Sequence, residues 1–60
     1  MARRKYEIYN LVADGGQVNE DYENYKEAYR EYCKQIQFGN PATLYGLTFE
    51  GGISVIFSHA

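Results

Sequence analysis

The sequence predicts one small α+β domain over residues 1–60, in the order β-α-β-β, with an amphipathic helix packed on a three-stranded, mainly antiparallel sheet. Three observations carry that prediction. A tyrosine stripe recurs at helical spacing between Glu20 and Phe38, segments rich in β-branched and aromatic residues flank it, and glycine pairs punctuate the chain at Gly15-Gly16 and Gly51-Gly52.

Tyr6 to Ala13 is rich in β-formers and reads as the first strand. Its alternation leaves the buried face undecided. Tyr6, Ile8 and Val12 share one face with Asn10, while Tyr9, Leu11 and Ala13 share the other with Glu7. Asp14-Gly15-Gly16 ends the strand with a turn.

The helix follows, from Glu20 to Phe38. Tyr22, Tyr25, Tyr29, Tyr32 and Ile36 recur at spacings of three and four, with Ala28 and Cys33 beside them. At one residue per 100° these positions fall within roughly 140° of arc, a stripe that faces a core. Asn19 is the expected N-cap, with Glu20, Asp21 and Glu23 at the positive end of the helix dipole. Gly39 suits the C-terminal cap, and Pro41 cannot continue the helix. Glu23–Lys26, Glu27–Arg30 and Glu31–Lys34 line the solvent face as i,i+3 pairs.

Ala42 to Phe49 and Ile53 to Ser58 read as a hairpin. A three-residue loop, Glu50-Gly51-Gly52, pairs Phe49 with Ile53, Leu47 with Val55 and Tyr45 with Phe57, which gathers their apolar side chains on one face. A two-residue Gly-Gly turn would mix polar and apolar residues on both faces. The helix reverses the chain, so the first two strands run parallel. Placing the third strand between them, order 1-3-2, makes every neighbour antiparallel.

Composition narrows the function. A chain of 60 residues has a thin core, and its single cysteine, Cys33, excludes an internal disulfide and a multi-thiolate zinc site. Seven tyrosines supply buried area instead. The opening Met1-Ala2-Arg3-Arg4-Lys5 runs straight into a strand, which reads as no signal peptide, and no apolar stretch approaches the roughly 20 residues of a membrane span. With the lone thiol, this points to the cytoplasm. No cofactor or metal is expected, because no phosphate-loop, His-x-x-x-His or EF-hand spacing occurs.

Catalytic groups are scarce. Cys33 and His59 are the only thiol and imidazole, and they read as a small core residue and a tail histidine. Glu20, Glu23, Glu27 and Glu31 read as a solvated helix face rather than as general acids, which need a desolvated site. The chain is therefore expected not to be an enzyme. One helix covers only one face of a sheet, so the other face should retain Leu44 and Ile56 with either Tyr9 and Leu11 or Ile8 and Val12. An exposed apolar patch marks an association surface. Leu44, Ile56, Tyr9 and Leu11 are thus the candidate partner-binding residues of a non-enzymatic protein-interaction module, working as a homodimer. Its general character suits a phage- or mobile-element-type inhibitor of a host protein. The alternative is a small nucleic-acid-binding protein using the basic arm Arg3, Arg4 and Lys5 with strand aromatics, against a net charge of −2.

Overall fold

Alternating and helical patterns both find their place in the computed structural model, which describes residues 5–59. Strand β1 spans Tyr6–Ala13, a short 3-10 turn Asp14–Gly16, β2 Val18–Tyr22, helix α1 Tyr25–Gln37, β3 Ala42–Thr48 and β4 Ile53–His59. The strands form one sheet in the order β2-β1-β3-β4. Every neighbouring pair is antiparallel. One helix on an antiparallel sheet agrees with the sequence pattern; the sheet has four strands where three were expected.

The additional strand is β2, in the segment assigned by its spacing to the start of the helix. Val18 to Tyr22 alternates with period two: Val18 and Tyr22 are half-buried on one side, Asn19 and Asp21 exposed on the other. The turn at Asp14 and Gly15, with φ of 54° and 66°, folds β2 back along β1, pairing Ala13 with Val18 and Tyr9 with Tyr22. Tyr22 keeps step with the helical stripe only because it also faces the helix side of the sheet.

This extra reversal corrects the strand order. With β2 counted, the chain turns once more before β3, so β3 runs antiparallel to β1 and pairs with it directly. Leu11 faces Leu44 and Ala13 faces Ala42 across that central ladder. The expected order 1-3-2 had put the last strand in the middle; β4 lies at the edge instead.

Helix α1 starts later than expected. Asn24, not Asn19, is the N-cap: its side-chain oxygen accepts from Lys26 N–H at 2.8 Å and Glu27 N–H at 3.3 Å. The buried face is narrower than the tyrosine stripe. Ala28 and Tyr32 are buried, whereas Tyr25 and Tyr29 remain 41% and 42% exposed. Their rings instead form a belt along the helix flank. Tyr9, Tyr25, Tyr29 and Tyr32 follow one another at centroid spacings of 5.6, 5.9 and 6.2 Å, and Phe57 closes on Tyr29 and Tyr32 at 5.4 and 5.6 Å. Of the expected surface pairs, Glu31 and Lys34 meet at 3.2 Å.

Beneath the helix lies a small core of Tyr9, Leu11, Ala13, Ala28, Tyr32, Ala42 and Leu44. Alanine at three of these positions lets helix and sheet approach closely. At the far end of the same face the Tyr6 ring lies over Gly46, so near that a Cβ there would meet its Cδ1 at 2.5 Å.

Candidate interaction surface

The β3–β4 hairpin determines what the sheet leaves uncovered. Its loop has three residues, as the sequence suggested, but it is Phe49-Glu50-Gly51, set one position earlier in the chain. Thr48 N–H donates to Gly52 C=O at 2.8 Å and Gly51 N–H to Thr48 C=O at 3.1 Å, with Gly51 at φ 91°. The register therefore pairs Leu47 with Ile53 and Tyr45 with Val55. A bulge at Ile56 then shifts the ladder, so that Leu44 faces Phe57.

That register reverses the expected faces. Tyr45, Leu47, Ile53 and Val55 point away from the helix, and Leu44 points into the core. Past the bulge, Phe57 turns inward to meet the helix tyrosines. The four candidate binding residues consequently lie on the covered side. Leu44 is 0%, Leu11 1% and Tyr9 8% exposed, and Ile56 packs against them. Their expected position on the outer face is corrected. Both faces of these strands are apolar, so alternation alone could not choose between them; the helix packs on the side that carries Leu11, Ala13, Ala42 and Leu44.

The outer face has its own organisation. One cross-strand row runs Asp21, Asn10, Tyr45, Val55, and the next runs Ile8, Leu47, Ile53. Val12 and Thr43 follow in a third row, where the Thr43 and Ser58 hydroxyls lie 3.3 Å apart. The β2 side is polar. Asn10 Nδ2 donates to Asn19 Oδ1 and to Asp21 Oδ1, each at 2.8 Å, which fixes the β1–β2 register from the outside. The β4 side is apolar, with Ile53 68% and Val55 59% exposed. Between the two runs a shallow groove of about 250 Å³, lined by Asn10, Asp21, Tyr45, Leu47 and Ile53. Ile8 and Val12, the other option for β1, do belong to this face. Its remaining members were missed, although paired alanines opposite one another marked the side that a helix approaches.

Electrostatics distinguish the covered side. Burial raises the Tyr22 hydroxyl above its ordinary pKa, and the carboxylates Glu31, Glu20 and Glu27 add to it. Burial also raises Tyr32, with Cys33 contributing. Cys33 is half-buried against the core and His59 is exposed at the end of β4. No group of three or more His, Cys, Asp or Glu side chains suited to a metal occurs among the described residues. No helix is long and apolar enough to cross a membrane among those residues. Of the basic arm, Lys5 holds its ammonium 5.5 Å from the Tyr6 ring centroid; Arg3 and Arg4 lie outside the described residues. Compared with protein-family models, curated proteins and solved structures, the chain matches none of them.

Proposed function

We propose that this chain is a non-enzymatic protein-interaction module that covers a partner's surface with the open face of its sheet and also associates with itself. The observation behind this reading is the contiguous apolar surface of Ile8, Val12, Tyr45, Leu47, Ile53 and Val55, which no element of the described chain covers. A small acidic domain acting by coverage has the build of a phage- or mobile-element-type inhibitor, and the proposal extends that far. The single thiol supports a cytoplasmic setting.

Leu47→Asp tests the face, because it sets a charge in the groove without touching the core. The variant should keep the parent circular dichroism spectrum and lose the protein that the parent retains in a pull-down; Glu27→Ala should lose nothing. Equal capture by Leu47→Asp and the parent would remove the open face from the proposal. The alternative reading through Arg3, Arg4 and Lys5 is served by the Lys5–Tyr6 contact. Binding of single-stranded DNA that weakens steeply with salt would favour it over ours.

A further inference from the structure

We infer that the free edge of β4 joins a second copy of this chain, giving a two-fold dimer with one continuous eight-stranded sheet. The inference rests on the self-association proposed above and names the surface that carries it.

Backbone geometry comes first. The bond from Thr48 N–H to Gly52 C=O makes that pair a hydrogen-bonded one. Antiparallel ladders alternate, so Leu47–Ile53 and Tyr45–Val55 are non-hydrogen-bonded pairs. Ile53 and Val55 therefore aim their N–H and C=O groups away from β3, along the free edge. Those groups call for an extended strand rather than a helix or a loop.

Charge then selects which strand. The sheet has two edges, β2 and β4. β2 carries Glu20 and Asp21 on a chain of net charge −2, which repels another copy. From Ile53 to Ser58, β4 carries no charge and neither lysine nor proline, the usual guards of an exposed edge. An uncharged, β-branched strand is what this edge accepts, and β4 is itself such a strand. A two-fold axis makes the pairing antiparallel without further adjustment. With the axis at Ser54, Ile53 of each copy faces Val55 of the other, and the outward groups of both strands are satisfied together. The bulge at Ile56 bends the remainder of β4 away and keeps the contact short. The same pairing brings both copies' exposed Ile53 and Val55 side chains into one apolar cluster. The apolar area buried there adds to a small core in which Leu11 and Leu44 are the largest fully buried side chains among the described residues.

Chemical synthesis of the chain with N-methyl-Val55 removes one outward donor and leaves every side chain in place. In sedimentation across a dilution series, the parent should show a dimer that dissociates, and the methylated chain should dissociate about tenfold or more readily. Glu27→Ala, on the exposed surface of the helix, should dimerise like the parent. A parent dimer that methylation leaves unchanged overturns the edge while self-association stands. A parent that is monomeric throughout overturns both, and leaves the edge to a strand from another protein. Amide exchange on the parent decides the matter should the methylated chain fail to fold. The Ile53 and Val55 amides should be protected in concentrated solution and lose that protection on dilution, while the inward Ser54 amide does not change. Protection that ignores concentration overturns the inference.

Discussion

The two faces of the sheet are built from the same strands with similar residues, yet one is a core and the other a surface. Leu44 and Leu47 make the contrast sharpest, for they are three residues apart on β3 and chemically identical. Leu44 is 0% exposed beneath the helix, while Leu47 lines an open groove. What separates the faces is not apolarity but how near a helix can come. Ala13 and Ala42 face each other on one side, in the same core as Ala28, whereas Asn10, Tyr45 and Val55 stand on the other. The paired alanines leave room for the helix on one side, and the other side carries no such pair.

The largest effect should come from setting these leucines against each other. Leu44→Ala should cost about 2–5 kcal/mol in urea unfolding, enough to endanger so small a domain, because it opens a cavity where nothing can collapse. Leu47→Ala should cost under about 1 kcal/mol. Similar losses at both positions would dissolve the distinction between the faces.

Gly46 tests how tightly the covered face is filled beyond the helix. Gly46→Ala drives a methyl group into the Tyr6 ring and should cost about 1–3 kcal/mol. In a Tyr6→Ala background the same substitution should cost much less. An additive double variant would mean that the ring is not the obstacle.

The helix start offers a smaller effect. Asn24→Ala should lose about 1 kcal/mol, since it removes the acceptor of two backbone N–H hydrogen bonds in the first turn. Asn19→Ala should lose less, because its hydrogen bond with the Asn10 side chain is exposed to solvent. The reverse ranking would restore the longer helix.

Alkaline pH should touch the covered face most gently of all. Tyr22 and Tyr32 are raised above the ordinary value of 10.0, the first by burial and the nearby glutamates, the second by burial and Cys33. In the unfolded chain these phenols ionise first, so their contribution is complete below about pH 10 and fades as pH climbs through the folded values. Ultraviolet titration should show late-ionising tyrosines in the folded protein, together with falling stability above pH 10. Replacing Tyr22 with Phe should remove one of the late groups.

Much of this was legible in the residues, and the misses have physical causes. The hairpin's three-residue loop with a left-handed glycine was readable from Glu50-Gly51-Gly52, but closing it at Thr48 and Gly52 depended on which apolar row the helix would cover. The late helix start has a local sign in the sequence. Asn24 has Glu27 three residues on, the spacing of a capping box, and Asn19 has Tyr22 there. Tyr22 disguised the boundary, because a strand residue facing the helix falls in line with the helix's own stripe. The bulge at Ile56 had no sign at all. It is a mismatch between two strands and exists only once they are paired.

By itself, then, the sequence determined the pieces that depend on near neighbours: an amphipathic helix ending at Gly39, β-rich segments, glycine turns, and the absence of disulfide support. Only tertiary structure decided whether Val18 to Tyr22 would be helix or strand, because that outcome turned on pairing with β1. It alone decided the strand order, since one extra reversal changes which strands meet. It decided the buried face as well. Alternation separates two sets of side chains but does not rank them, and the choice falls to whichever set lets the helix come closest.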